Sequence, residues 1–120
     1  MKINNSRNKV KSYMGFAKRS GNLVSGADTC IINMKKQKVK LLIIAEDISE
    51  NSMDKMVSAA AAGGIQYRVY GTGEELSKAV GTSGKMTFGI LEKGFADSIA
   101  REIDQESQDE RRGSYDSEDR

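Results

Sequence analysis

The run Leu41-Leu42-Ile43-Ile44-Ala45 constrains the fold of this chain more than any other stretch. If these five residues are extended, the strand has no polar face, because successive side chains of a strand point to opposite sides. Such a run, followed here by Glu46-Asp47, is typical of a strand that is covered on both faces. It therefore predicts a sheet with helices packed on either side.

Hydrophobic periodicity and turn residues predict alternating helices and strands along the chain. The predicted helices cover residues 6–20, 27–38, 52–62 and 94–103, with a short fourth helix in chain order that ends at Gly81. The predicted strands cover residues 23–24, 41–45, 65–70 and 86–91, and we expect Ile65, Tyr67 and Val69 to point inward. The alternation favours a three-layer α/β/α sandwich around a small, mostly parallel sheet.

Two short spacings predict capping boxes at helix starts. Ser25 with Asp28, and Thr72 with Glu75, both match the Ser/Thr-x-x-Asp/Glu pattern. Gly26 lies between the first pair and permits a tight turn before the second helix.

The composition narrows the possible functions. With 120 residues, of which 38% are hydrophobic, the chain is long enough for one domain with a core. The absence of histidine excludes histidine-dependent nucleophilic catalysis and nearly all zinc sites. The single Cys30 cannot form an intramolecular disulfide, and we expect it to be a small buried side chain. We therefore expect no catalytic residue, no metal and no cofactor.

No stretch of the sequence is long and apolar enough for a transmembrane helix, and no apolar segment follows the basic N-terminus. We accordingly expect no signal peptide, no membrane partner and a cytoplasmic location.

The charges are distributed asymmetrically. Residues 1–40 carry ten lysines and arginines against the single acid Asp28, a net charge of +9, whereas residues 102–120 carry eight acids and three arginines, a net charge of −5. A basic body is typical of polyanion binding, although the same lysines could form an ordinary hydrated surface. No aliphatic residue follows Asp104, which predicts a domain at 1–103 and a disordered acidic tail at 104–120.

Three stretches are candidates for contact with a ligand. The N-terminal amides of the second helix and the lysines at its end suit an RNA backbone, but an ordinary helix with a hydrated end is an equal alternative. Glu46 and Asp47 follow a strand, where α/β proteins place ligand groups, although a loop and cap role before the third helix is favoured. The loop at 82–85 supplies small residues and the cation Lys85 beside a strand.

The order of these motifs resembles the L7Ae/L30e family of ribosomal proteins, and in particular its small bacterial branch, the YlxQ-type proteins. The resemblance covers about residues 6–103. It is carried by Gly21-Asn22-Leu23-Val24-Ser25-Gly26, by Val39 to Asp47, by Glu75-Leu76 with Ala79-Val80-Gly81, by Phe88-Gly89-Ile90 and by Gly94-Phe95-Ala96. It implies an α/β/α sandwich with a small four-stranded mixed sheet.

The resemblance also implies binding of kink-turn RNA, a sharply bent helix–bulge–helix with sheared G·A pairs. The matching RNA-binding positions are, on and after the second helix, Gly26, Ala27, Asp28, Thr29, Asn33, Lys36 and Lys38, and, in the loop before the last strand, Thr82, Ser83, Gly84, Lys85 and Met86. This chain departs from typical kink-turn binders, which have Asn-Glu at Asp28-Thr29 and a lysine at Ile32.

These observations lead to one main hypothesis and two alternatives. The first is a non-enzymatic, monomeric RNA-binding protein for kink-turn or similar structured RNA such as ribosomal RNA, associated with the ribosome or another ribonucleoprotein. The second is a protein-interaction module on the same fold with weakened RNA binding, which Asp28, Thr29, Ile32 and the acidic tail favour. The third is a small-ligand α/β protein or enzyme that acts through Glu46 and Asp47.

Overall fold

The computed structural model describes the backbone of residues 5–118 and the side chains of residues 9–110. Within residues 5–118 the chain forms five helices and four strands in the predicted alternating order. The helices are α1 (Asn5–Arg19), α2 (Ala27–Lys35), α3 (Glu50–Gly63), α4 (Gly73–Ala79) and α5 (Lys93–Glu118). The strands are β1 (Leu23–Ser25), β2 (Leu41–Ile44), β3 (Tyr67–Val69) and β4 (Thr87–Ile90).

The four strands form one mixed sheet in the order β1-β4-β2-β3. Strand β4 lies between β1 and β2 and is antiparallel to both, whereas β2 and β3 are parallel. The predicted four-stranded mixed sheet is therefore confirmed, and the expectation of a mostly parallel sheet is wrong. A continuous apolar run indicates that both faces of a strand are covered, but it does not determine the direction of its neighbours.

Helices cover both faces of the sheet, which confirms the three-layer sandwich. All four residues of β2 have zero solvent exposure. Leu41 and Ile43 pack with side chains of α1, α4 and α5, and Leu42 and Ile44 pack with side chains of α2 and α3. Cys30 is buried in the second of these cores, as predicted, and burial raises the pKa of its thiol to about 11.

Two residues of strand β3 that the sequence predicts to be covered are exposed. Ile65 packs against the α2/α3 core as expected, but Tyr67 and Val69 are 38% and 42% exposed. Their neighbours in the register are Leu42 and Ile44 of β2. The prediction is wrong because β3 is an edge strand, and α3 covers β2 without extending over it.

The start of α2 also differs from the prediction. Strand β1 continues through Ser25, and Gly26 is the N-cap at φ 98° with no side-chain cap. The Ser25/Asp28 capping box is therefore wrong, because the turn requires the positive φ that glycine adopts at low cost. The second box is confirmed, since the Thr72 hydroxyl accepts from the Glu75 N–H and the Glu75 carboxylate accepts from the Thr72 N–H.

Helix α2 ends three residues before the predicted end at residue 38. Gln37 takes a positive φ of 59°, its N–H donates to the Met34 carbonyl, and the Lys38 N–H donates to the Asn33 carbonyl. This is the Schellman arrangement. It turns the chain so that Val39 can enter the core.

Helix α5 is much longer than predicted. It continues to Glu118, so the expected domain boundary at 103 falls inside a helix. The division into a domain and a disordered acidic tail at 104–120 stays a prediction. Residues 119–120 lie outside the described part of the chain. Two side chains join the extension to β3 and the residue after it: Asp104 accepts from Arg68 at 2.8 and 3.0 Å, and Glu106 accepts from the Tyr70 hydroxyl at 2.8 Å. The tail lacks aliphatic residues, and polar contacts hold its first part to the sheet.

Two truncations test this attachment. A chain that ends at residue 103 loses both contacts, and we expect its free energy of unfolding to fall by roughly 2 to 4 kcal/mol, since a buried hydrogen bond to a charged group and a partly exposed ion pair are removed. A chain that ends at residue 110 keeps both contacts and should unfold close to the full-length chain. Urea denaturation of the three chains provides the measurement. If the chain that ends at residue 103 were as stable as the full-length chain, this attachment would be contradicted.

Candidate nucleic-acid interface

The N-terminus of α2 and the loop at 82–86 lie side by side at one end of the sheet. The Gly26 N–H donates to the carbonyl of Thr87 at 2.9 Å, which joins the end of β1 to the start of β4. A Cβ on Gly26 would lie 3.8 Å from both Cδ and Nζ of Lys85. The side chain of Lys85 therefore lies beside the first residue of the turn into α2, although 59 positions separate the two in sequence.

Helix α4 holds the loop at 82–86 in place. The Ser77 hydroxyl donates to the carbonyl of Lys85 and accepts from its N–H, both at 3.0 Å. Met86 packs so closely on Gly73 that a Cβ there would lie 2.4 Å from its sulfur. The loop is therefore positioned by a buried serine and a glycine of α4. Sequence reasoning missed Ser77, because a serine within a helical pattern does not indicate which way its hydroxyl points.

A cavity of about 420 Å³ lies between the loop and α4. Its lining includes Asp47, Ser77, Lys78, Lys85 and Met86. One carboxylate oxygen of Asp47 accepts from the Gly73 N–H at 2.9 Å. Asp47 thus serves the first turn of α4. The role favoured from the sequence, a cap before the third helix, is filled by Ser49 instead, whose side chain accepts from the Ser52 N–H. Glu46 is exposed.

The exposed side of α2 carries a mixed set of groups. Asp28 and Thr29 are exposed, and Ile32, one turn further, is 53% exposed. The side-chain amide of Asn33 donates to the Thr29 carbonyl at 2.9 Å, so one of its donors is already in use. No side chain caps the start of α2 in the described structure, which leaves the first-turn N–H groups to an acceptor from outside the helix.

Lys36 and Lys38 lie away from the loop. They follow the nine residues of α2, which span about 13 Å at 1.5 Å per residue. There they form a lysine cluster, defined as Lys35, Lys36, Lys38 and Lys40, whose members are all exposed. Within the described residues none of the four takes part in an ion pair. The structure thus brings Gly26, Ala27 and Lys85 together and places the lysine cluster at the opposite end of α2.

The described residues contain no cluster of metal-ligating side chains and no helix that is long and apolar enough to cross a membrane.

Comparison with known proteins identifies the family. The model of the ribosomal protein L7Ae/L30e/S12e/Gadd45 family matches residues 8–100. The chain belongs to this family. The predicted membership is therefore confirmed.

Two curated relatives support the predicted bacterial branch. The chain is 29% identical over 91 residues to the RNA-binding protein YlxQ of Enterococcus faecium, which covers 76% of this chain and 87% of that protein. It is 24% identical over 91 residues to the RNA-binding protein YlxQ of Bacillus subtilis (strain 168), with 76% and 91% covered. The resemblance to the YlxQ-type proteins is thus confirmed.

Two solved structures have the same fold as this chain. A protein with unknown function from Bacillus halodurans C superimposes with a TM-score of 0.77 at 25% identity, covering 80% of this chain and 97% of that one. A 15.5kD RNA binding protein from Giardia lamblia gives a TM-score of 0.71 at 15% identity, covering 90% of this chain and 92% of that one, and shows likeness of fold alone.

Removing the Ser77 hydroxyl tests how the loop is held. Ser77→Ala leaves the part-buried N–H and carbonyl of Lys85 without this partner, at a cost of about 1 kcal/mol, the net contribution of a typical hydrogen bond. We expect a lower midpoint of unfolding and faster amide hydrogen exchange at 82–86. Ser83→Ala, an exposed change in the same loop, is the matched control and should alter neither quantity. Unchanged exchange in Ser77→Ala would show that other contacts hold the loop.

Proposed function

We propose that this chain is a non-enzymatic RNA-binding protein that recognises kink-turn or similar structured RNA. The observation that carries the proposal is the position of Lys85 beside Gly26, 3.8 Å from the site of a Cβ on that glycine. It joins the two segments that the family resemblance implies as one RNA contact surface. The names of the two YlxQ relatives as RNA-binding proteins support the same proposal.

The proposed surface offers complementary contacts at short range. The uncapped first turn of α2 presents N–H donors and the positive end of the helix dipole, which suit phosphate or carbonyl oxygens of RNA. The Asp28 carboxylate is an acceptor for the amino edge of guanine. From the loop, Thr82, Ser83 and Gly84 allow close approach to the backbone, and Lys85 supplies a cation for a phosphate.

The lysine cluster adds a longer-range contribution. Lys36 and Lys38, with Lys35 and Lys40, form a separate basic surface at the C-terminal end of α2. Lysines of this kind attract the RNA backbone regardless of its sequence, and their contribution falls as salt is raised. Specificity for a bent RNA therefore depends on the α2 start and the loop, and the lysine cluster raises affinity for RNA in general.

A second function is favoured by one observation. Ile32 is 53% exposed on the proposed surface, at the position where typical kink-turn binders carry a lysine. An exposed isoleucine there suits an apolar side chain of a protein partner better than a phosphate. A protein-interaction module with weakened RNA binding is the alternative.

In either case we propose a cytoplasmic monomer, and for the RNA-binding function an association with the ribosome or another ribonucleoprotein.

The experiment that tests the proposal is a binding titration with two RNAs at two salt concentrations. One RNA contains a kink-turn, and the other is a matched duplex without the sheared G·A pairs. We expect tighter binding to the kink-turn at both salt concentrations. Equal, salt-sensitive binding to both would leave only the general basic surface, and binding to neither would favour the protein-interaction function.

Charge reversal distinguishes the two parts of the surface. We expect Lys85→Glu to remove the preference for the kink-turn, and Lys36→Glu to weaken binding to both RNAs and lower the salt dependence by about one phosphate contact. Because both lysines lie at the surface, the midpoint of unfolding should change little.

The matched control is Lys55→Glu on α3, an exposed lysine outside both segments. It makes the same change in net charge and should leave the preference intact. If Lys55→Glu lowers kink-turn binding as much as Lys85→Glu, net charge rather than the proposed surface determines binding.

A further inference from the structure

A second and larger concavity lies between α1 and α4, on the other side of α4 from the loop at 82–86. Its volume is about 650 Å³. Helix α1 contributes Ser12, Phe16 and Arg19 to its lining, and α4 with its N-cap contributes Thr72, Glu74 and Lys78. We refer to it as the α1–α4 groove. Nothing in the proposed recognition of a kink-turn uses it.

Phe16 is exposed in this groove although its helix has a well-packed core side. Val10, Met14 and Ala17 of α1 are fully buried, whereas Phe16 is 50% exposed. The Arg19 guanidinium carbon lies 4.9 Å from the centroid of the phenyl ring, within the range of a cation–π contact. Phe16 therefore contributes less to the core than its neighbours do, and its ring is held at the surface by an arginine.

The charges of the groove suit a polyanion only weakly. Lys11 forms an ion pair with Glu75 at 3.2 Å, so these two neutralise one another. Arg19 and Lys78 then oppose Glu74. An aromatic ring with an arginine and a lysine nearby is the combination with which proteins bind single-stranded nucleic acid by stacking. Because the positive charges of the groove only slightly exceed the negative ones, stacking of bases would contribute more to binding there than attraction of phosphates.

The groove is continuous with the proposed RNA interface. Glu74 and Lys78 line both the α1–α4 groove and the cavity beside the loop at 82–86. They are four residues apart on α4 and therefore share one exposed side of it. That side of α4 separates the groove from the cavity. An RNA strand that contacts the loop at 82–86 therefore needs to cross only this helix, about 10 Å wide, to reach the groove.

We propose that unpaired nucleotides adjoining the bend of the bound RNA cross α4 and stack a base on Phe16 in the α1–α4 groove. Lys78 neutralises a phosphate at the crossing, and Arg19 supports the ring from its own helix. The proposal rests on the proposed function, since it extends the same RNA contact surface. It names the kind of RNA that the chain prefers: a bend with a single-stranded extension.

The test compares kink-turn RNAs with and without an unpaired extension of a few nucleotides, placed on each strand in turn. For the unchanged protein, one of the extensions should tighten binding roughly tenfold, as expected for one stacked base. Phe16→Ala should lose this gain and bind the blunt RNA as before. The salt dependence of the gain should not exceed that of about one phosphate contact, the one made by Lys78, since stacking itself releases few counterions.

Two further variants make the result specific. The chain contains no tryptophan, so Phe16→Trp introduces a single indole. This variant should keep the gain in affinity, and its indole fluorescence should fall when the extended RNA binds. Tyr67→Ala removes an aromatic side chain that is 38% exposed at the sheet edge and should leave the gain unchanged. The midpoint of unfolding confirms that each variant is folded.

The outcomes separate this proposal from the proposed function. If the blunt kink-turn binds no better than the duplex, the proposed function fails. Base stacking in the groove is then tested with a single-stranded oligonucleotide alone, which should still quench the indole fluorescence of the Phe16→Trp variant. The groove proposal is overturned if Phe16→Ala keeps the full gain, or if neither the extended RNA nor the oligonucleotide quenches the indole.

Discussion

Complete burial of β2 is the constraint on which the rest of this structure depends. Its four residues, Leu41 to Ile44, have zero exposure and alternate between two cores. At about 25 cal/mol per Å² of apolar surface, each of these side chains contributes roughly 1.5 to 3 kcal/mol relative to exposure. That contribution requires helices on both faces. The two layers are unequal: α1, α4 and α5 cover one face, and α2 and α3 cover the other.

The candidate interface follows from where β4 is inserted. Because β4 is antiparallel to both of its neighbours, it begins at the end of the sheet where β1 and β2 finish. The loop before β4 must then lie beside the turn that follows β1, and this brings Lys85 to Gly26. The same insertion brings the end of β2 close, since the Ala45 N–H donates to the Met86 carbonyl at 2.8 Å. The order and direction of the strands therefore bring the parts of the candidate interface together, and no single helix or strand contains all of it.

The sequence predicts the features of this fold that local chemistry determines. The two-sided strand, the alternation of elements and the Thr72/Glu75 capping box are all present, because each depends on a few adjacent residues. The exposure of β3 and the end of α5 are not predicted, because each depends on distant parts of the chain. The cap of α2 is not predicted, because the turn needs the positive φ of Gly26 and takes no side-chain cap. Tyr67 is exposed because of its place in the sheet, and Asp104 is attached through Arg68, 36 positions away. For the same reason the predicted site residues divide into two groups: Gly26 and Lys85 meet, whereas Lys36 and Lys38 lie at the far end of α2.

In the proposed RNA-binding function, this division would separate affinity from specificity. The lysine cluster acts through charge, at distances comparable to the screening length of about 8 to 10 Å in physiological salt, and does not require a particular RNA shape. The start of α2 and the loop act through hydrogen bonds, which require contact within about 3 Å. Ile32 lies between these two regions on the exposed side of α2. It cannot neutralise a phosphate there, so the two regions contribute to binding without a cation to join them. In the proposed complex, an RNA that contacts both regions must extend along the whole length of α2, about 13 Å.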